Sequence, residues 1–345
     1  MFIILDSFCS KQREILQNYM CGDRVFKQIL GEIEEELLVL EDDLRAVVDT
    51  KIRLIKKPLE NMINSGGKRL RPAMVLAAAR FGEYDFENIR SLAVSVELIH
   101  TATLIHDDII DDSPLRRGIA SIQSQLGKDI AVFAGDYLFC KAFELFASSD
   151  HFNMLRSVSK VMYQICEGEL KQREDLFNTD LTFKEYLYRI RRKTAILFAL
   201  SSEIGARASK APTKTVRALH NYGINTGIAF QIADDLLDFI SEDKKLGKPA
   251  GADIREGVIT LPAIYALKYS EHREHLKHIL SNRNINEDEI NEAIEIIKKS
   301  GGIKYSESMA KRYVQKALNS IETLPEIPIK KVLMNISSFV INRSM

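Results

Sequence analysis

Along most of the chain, apolar residues return every three or four positions and are interrupted by short polar or Gly/Pro-containing joints, the spacing of amphipathic helices. Ile29, Ile33, Leu37, Leu40, Leu44 and Val47 predict a helix from Phe26 to Val48. A second, from about Thr50 to Ile63, is stopped by Asn64-Ser65-Gly66-Gly67, a C-cap cluster. Pro72 sits near the start of the next helix, where its missing N–H costs little. The alanine-rich segment Arg69–Phe81 predicts that this helix is buried. An apolar run from Leu92 to Ile105 leads into an acidic helix, which Pro114 and Gly118 end. Helices are further predicted over Ile130–Ala147, Phe152–Leu176, Thr182–Ser209 and Thr213–Ile240, the third opening with a capping box, Thr182-x-x-Glu185. The longest polar loop, Ser241–Gly257, precedes amphipathic stretches at Leu261–Lys268, Glu287–Lys299, Ile303–Leu324 and Ile329–Ile341. Nowhere do β-branched and polar residues alternate over a full strand, and there is no short repeat. An all-α fold is predicted, with residues 1–25 a loosely attached N-terminal helix and 26–345 one helical domain.

Composition narrows the class. The chain has 345 residues and is 46% hydrophobic, enough for a substantial core. Lys plus Arg equals Asp plus Glu at 48 each, so no global charge points to nucleic acid or an anionic membrane. No stretch reaches the roughly 18 uncharged apolar residues of a membrane span. The opening MFIILDSF lacks the basic start of a secretory signal. Cys9, Cys21, Cys140 and Cys166 have no metal-ligand spacing and read as reduced thiols. A soluble, cytoplasmic protein is expected.

The candidate chemistry lies in two acidic clusters, Asp107-Asp108-Ile-Ile-Asp111-Asp112 and Asp234-Asp235-Leu-Leu-Asp238. An isolated acidic cluster on a helix is most often a solvated face. These two, however, sit in strongly apolar helices and use Asp, a poor interior helix former. Asp107 and Asp111 are i,i+4 neighbours whose like charges repel, a penalty that a bound cation removes. If the two helices face one another, at least four carboxylates converge, as in metal sites between bundle helices. An all-oxygen donor set suits Mg²⁺ or Mn²⁺ rather than zinc. Basic groups lie nearby. Lys68 and Arg71 (i,i+3) sit at a helix start, and Arg116 and Arg117 follow the first acidic cluster. His100 lies two turns before Asp107 on the same face, whereas His106 reads as structural. In Arg191-Arg192-Lys193-Thr194, polar groups stand mid-helix and need partners, either carboxylates or a bound anion. Lys248 in the Gly-rich loop reads equally well as an exposed loop lysine.

GGKRLRP, HDDIIDDSPLRRG, RRKTA, FQIADDLLDF and LGKPAGADI…TLP, in this order and spacing, resemble the trans-type polyprenyl diphosphate synthases of the long-chain bacterial kind. The likeness runs from about Phe26 to the C-terminus. It implies a bundle of long helices around a deep cavity, usually as a homodimer, alone or with a small regulatory subunit. It implies that Asp107, Asp108, Asp111, Asp234, Asp235 and Asp238 hold Mg²⁺ ions on an allylic diphosphate such as farnesyl diphosphate. By the same likeness, Arg116, Lys193, Thr194, Gln231 and Lys248 contact that diphosphate, and Lys68, Arg71, His100 and Arg117 hold isopentenyl diphosphate. Val258 stands where many relatives carry a lysine.

The implied reaction is head-to-tail condensation of the two substrates, for a quinone side chain such as that of menaquinone. Thr103 and Ala102, four and five residues before Asp107, and Ile99 beyond them are small or aliphatic where short-chain relatives place a bulky floor, so a long product is expected. Rival readings are a farnesyl or geranylgeranyl synthase, a class I terpene cyclase and a non-enzymatic helical subunit. The second DDxxD cluster and the intact Lys68/Arg71 pair speak against the last two.

Overall fold

The computed structural model describes residues 30–148, 151–240 and 251–342, and the first helix expected within 1–25 lies outside them. After a 3₁₀ turn at Gly31–Ile33 come α1 (Glu34–Val48), α2 (Arg53–Asn64), α3 (Leu70–Ala79) and α4 (Phe86–Ile110). A small hairpin, β1 (Leu115–Arg116) and β2 (Ile119–Ala120), leads to α5 (Ile122–Leu126), α6 (Lys128–Ser148) and α7 (Leu155–Glu174). Next come α8 (Phe183–Ile190), a π-helical turn at Arg191–Ala195, α9 (Ile196–Ala208) and α10 (Thr213–Ile240). The chain closes with α11 (Ala252–Glu256), α12 (Leu261–Tyr269), α13 (Arg273–Leu280), α14 (Glu287–Lys299), α15 (Gly302–Ile321) and α16 (Pro328–Asn342). The all-α expectation holds.

The helices meet through small residues. α10 packs lengthwise against α15 and α9, α9 against α3, α3 against α4, and α4 against α6. Every residue of α3 is buried, as its alanine content predicts. A Cβ on Gly205 would lie 2.1 Å from the Val75 carbonyl oxygen, which sets the α9–α3 approach. On α10, a Cβ on Gly223 would come within 2.6 Å of Ala199 Cα, and one on Gly227 within 2.5 Å of Ala195 Cα. The pair, four residues apart, lets the two backbones touch along one face. No described helix is long and apolar enough to cross a membrane.

Several boundaries differ from the sequence reading for local reasons. The acidic helix stops at Ile110, before Pro114, with Asp111 as its C-cap. The next residues form the hairpin, whose turn places Arg117 and Gly118 at φ 52° and 79°, the positive pair of a tight I′-like turn. The predicted helix over Thr182–Ser209 is one continuous run, but the π-turn interrupts it. Its capping box is present in full. α5, α11 and α13 were not expected, and α11 falls inside the segment read as a polar loop over Ser241–Gly257. α13 has a single apolar stripe, Leu276, Ile279 and Leu280, too short for periodicity to register.

Candidate active site

His100, Thr103, Leu104, Asp107 and Asp111 recur every three or four positions on α4, so one stripe of that helix faces a cavity of about 290 Å³. Burial raises the Asp107 carboxyl to a pKa of about 7; Glu169 and Asp111 add to the rise, while Lys193 and Arg116 oppose it. Asp111 lies 3.5 Å from Arg173 Nη2. Asp108 is buried but outside the cavity wall, where it accepts a hydrogen bond from Arg116 Nε at 2.8 Å and a second from Arg116 Nη2. Asp112 forms an exposed ion pair with Lys128.

α10 supplies the facing wall through Phe230, Gln231, Asp234 and Asp235. The close α9–α10 approach lets Thr194 Oγ1 donate to Gln231 Oε1 at 2.6 Å, and Gln231 Nε2 donate to Asp235 Oδ1 at 2.7 Å. Tyr186 OH donates to Asp235 Oδ2 at 2.6 Å. Burial raises Asp235 to about 6 against these two donors and the nearby Arg189. Asp238, a turn further on, is not in the wall. Its two oxygens accept from the Ala252 and Asp253 amides at 2.9 and 3.1 Å and so cap α11. That short helix brings Asp253 and Glu256 to the cavity. Burial, then the carboxylates of Asp238, Asp235, Glu256 and Asp234, push Asp253 well above the ordinary range.

Basic groups surround the acids. The π-turn aims Lys193 and Thr194 into the cavity, and Lys193 Nζ meets Glu169 Oε2 at 2.9 Å. A Cβ on Gly168 of α7 would lie 2.7 Å from the Lys193 amide nitrogen, so the turn is gripped from outside as well. Such turns favour functional sites.

At the other end, Arg69 is the αL residue that starts α3 (φ 43°). It is buried between Glu41 (2.5 and 3.1 Å) and Glu97 (2.9 Å), which anchors the loop carrying Lys68 and Arg71. Arg71 stacks on Phe198, and its Nε is buried without a partner among the described residues. Burial and Arg117, opposed by Glu97, lower it to about 10. Burial, then Arg71, Arg117, Arg69 and Arg116, push His100 well below its usual value, so it is a neutral imidazole at pH 7. Arg117 lies on Gly67, where a Cβ would sit 2.8 Å from its Nη1. Lys68 Nζ stands 3.9 Å over the Phe339 ring of α16. Neither residue is in the cavity wall. Ala102 and Ile99 are also fully buried outside it, whereas Thr103 is in it. Lys248 lies outside the described residues.

The sequence reading assigned no role to Arg189, Glu169, Asp253 or Glu256, all of which reach the cavity. Arg189 had a signal, a cation on the same buried face of α8 as Tyr186 and Ile190. The acids of α11 had none, because a five-residue helix carries no periodicity.

Among the described residues no three His, Cys, Asp or Glu side chains are close enough to cage a metal. Mg²⁺ takes one or two carboxylates and leaves positions for phosphate oxygens and water. Asp107 and Asp111 on one wall, and Asp234 and Asp235 on the other, are such pairs, with oxygen donors only.

The polyprenyl synthetase family model matches residues 52–297. The heptaprenyl diphosphate synthase component 2 of Bacillus subtilis (strain 168) is 36% identical over 319 residues, covering 92% of this chain and 91% of that protein. The chloroplastic solanesyl-diphosphate synthase 2 of Oryza sativa subsp. japonica is 34% identical, over 91% of this chain and 79% of its own. A polyprenyl synthase from Caulobacter crescentus, solved with calcium and isoprenyl diphosphate, superposes with a TM-score of 0.88 at 34% identity, covering 93% of this chain and 98% of that one.

Proposed function

The chain belongs to the polyprenyl synthetase family and is a prenyltransferase of the polyprenyl diphosphate synthase kind, and from that premise we propose that it makes a long all-trans product by adding isopentenyl diphosphate to an allylic diphosphate such as farnesyl diphosphate. The observation that carries this reading is one cavity with paired carboxylates on facing walls, cations at its edges and an apolar side of Leu104, Ile165, Leu197 and Phe230.

In this reading Asp107, Asp111, Asp234 and Asp235 hold Mg²⁺ against the allylic diphosphate, with Lys193 and Arg116 on its oxygens and Thr194 and Gln231 orienting it. Asp108 and Asp238 contribute by positioning Arg116 and α11. Mg²⁺, when bound, stabilises the charge on the departing pyrophosphate. Arg71, Arg117 and Lys68 offer cationic donors to isopentenyl diphosphate, and neutral His100 adds an N–H without a further charge. Holding the second substrate beside the ionising bond converts the attack into an effectively unimolecular step. The apolar wall keeps water from the allylic cation, and the last proton leaves with the pyrophosphate.

Thr103 and Leu104, which line the cavity on the α4 side, are not aromatic, and that supports the long product. Val132 and Phe133 on α6, with Phe152, Tyr163 and Leu170 nearby in sequence on the next segment, are exposed apolar side chains that suit a second copy, so the same proposal includes a homodimer. A catalytic subunit that also needs a small partner is the alternative.

The test is a product assay on the purified chain with Mg²⁺, farnesyl diphosphate and labelled isopentenyl diphosphate, resolved by chain length, with EDTA as control. Metal-dependent long product supports the reading. No turnover from folded protein, alone or with a co-purified partner, refutes it.

A further inference from the structure

Three ties hold the segment from Gly251 to Thr260 over the acidic wall. Asp238 caps the Ala252 and Asp253 amides, the Phe177 amide donates to the Gly257 carbonyl at 2.7 Å, and Arg189 Nη2 donates to the Ile259 carbonyl at 2.7 Å. The middle tie is sterically demanding on both sides. Phe177 takes φ 61°, unusual for a bulky residue, and a Cβ on Gly257 would lie 2.5 Å from the Phe177 ring. The third tie is the unexpected one. Arg189 is 2% exposed, and its Nε and Nη1 are buried without a hydrogen-bond partner among the described residues.

A guanidinium stays protonated in a protein, so burial cannot be relieved by losing the charge. A bridging water would satisfy its N–H groups but would not neutralise it. Stability alone favours an apolar side chain of similar volume at such a place. The charge therefore has another use, and its surroundings show which. Its ring neighbour Tyr186 (5.7 Å) hydrogen-bonds Asp235, and its carbonyl partner Ile259 follows the segment that carries Asp253 and Glu256. Four carboxylates, Asp234, Asp235, Asp253 and Glu256, thus line one side of the cavity with Arg189 in the same wall.

We propose that Arg189 is a positioning residue for this wall: it fastens the 251–260 segment to α8 and offsets the mutual repulsion of the four carboxylates, so that they stand assembled before metal and diphosphate arrive. It acts through Asp235 and through the Ile259 carbonyl of the segment that carries Asp253, and touches neither reacting carbon. The inference rests on the proposed function, which it deepens. Without Arg189 the segment must be reassembled at the moment of binding, so metal-diphosphate is held more weakly while the isopentenyl pocket at Arg71 and His100 is untouched.

The experiment uses the full chain and variants Arg189→Met, Arg189→Gln and Arg189→Lys, with Mg²⁺ and inorganic pyrophosphate as the calorimetric probe. Arg189→Met is expected to keep the native circular dichroism and to bind Mg²⁺-pyrophosphate about 10–100-fold more weakly, the range typical for partners of metal-site residues. kcat should fall in parallel, with the KM for isopentenyl diphosphate unchanged, and Arg189→Lys should recover most of both losses. Binding by Arg189→Met within twofold of wild type, or a lysine variant as defective as methionine, overturns the proposal. Should methionine prevent folding, Arg189→Gln decides, because it keeps a donor without charge: wild-type binding refutes, and a defect that lysine relieves supports. A wild-type chain that binds Mg²⁺-pyrophosphate but makes no prenyl product sinks the functional reading while leaving this comparison readable.

Discussion

Replacing Asp107 by Asn removes a carboxylate whose ionisation the fold resists, and the sign of the stability change follows from that. Its pKa rises from 3.8 to about 7 mainly through burial. Below the unfolded value both states are protonated and there is no cost. Between about pH 4 and 7 the folded state holds the proton that the unfolded state has released, so stability falls as pH rises, and above pH 7 the whole cost is present. At about 1.4 kcal/mol per unit the shift sets a ceiling near 4 kcal/mol, and partial access to the cavity brings the expected figure to about 2–4 kcal/mol. Unfolding entropy of about 2.1 cal/mol/K per residue over 345 residues then converts this to a Tm rise of roughly 3–6 °C. Calorimetry in EDTA at pH 8 should show Asp107→Asn more stable than wild type by that amount, with the gain cut to less than about half at pH 5. The same variant should lose product formation by about 100-fold or more, and most of the stabilisation that Mg²⁺ with pyrophosphate gives the wild type. A variant that is less stable at pH 8, or a gain that does not change with pH, would refute the assignment of burial as the cause. Full activity would remove Asp107 from the metal site.

Other perturbations address the remaining parts. Thr103→Phe should shorten the product more than Ala102→Phe, because Thr103 is in the cavity wall and Ala102 is not; equal product profiles for both variants and wild type would refute the tail path. Arg71→Met should raise the KM for isopentenyl diphosphate about 10–100-fold, the worth of a charge-assisted hydrogen bond, with Tm held or increased; an unchanged KM would place that substrate elsewhere. Gly227→Val puts a Cβ 2.5 Å from Ala195 Cα and should cost about 3 kcal/mol by overpacking, visible in the denaturation midpoint, while weakening the Thr194–Gln231 contact. Phe133→Glu should convert a dimer to monomer in light scattering, and a variant that stays dimeric moves the interface off α6.

The parts of the fold that could be read in advance are those with many turns of one period. α10 and α14 have the limits the sequence pattern predicts, because 28 and 13 residues of amphipathic repeat leave little freedom of register. The capping box at Thr182 fixed the start of α8 through local hydrogen bonds that depend on four residues only. What escaped depended on tertiary contact. The π-turn at Arg191–Ala195 has no pattern of its own and is gripped between Gly168 and Gly227 from helices distant in sequence. α4 ends early because the hairpin that follows pairs Arg116 with Asp108, a contact the linear motif does not reveal. Within the site, periodicity placed His100 with Asp107 on one stripe. It said nothing of Asp253 and Glu256, which reach the cavity only because Asp238 caps α11.

These contacts also explain how so many charges coexist in a small space before any substrate arrives. Arg116 meets Asp108, Lys193 meets Glu169, Arg173 approaches Asp111, and Lys68 rests on the Phe339 ring. Arg116, Lys193, Asp111 and Lys68, all expected to touch a diphosphate or its metal, thus have partners inside the protein, so this part of the unliganded site costs less than its formal charges suggest. Binding would then be an exchange: phosphate oxygens replace carboxylates on Lys193 and Arg116, and the charge of the cation offsets the carboxylates left behind. Such an exchange keeps desolvation low for both partners, but it requires the substrate and the metal to arrive as a unit. Pyrophosphate without Mg²⁺ would have to break the Lys193–Glu169 and Arg116–Asp108 pairs and leave the acids uncompensated. Calorimetry on the wild-type chain should therefore show strong cooperativity between Mg²⁺ and pyrophosphate, and equal pyrophosphate affinity with and without the metal would contradict the exchange.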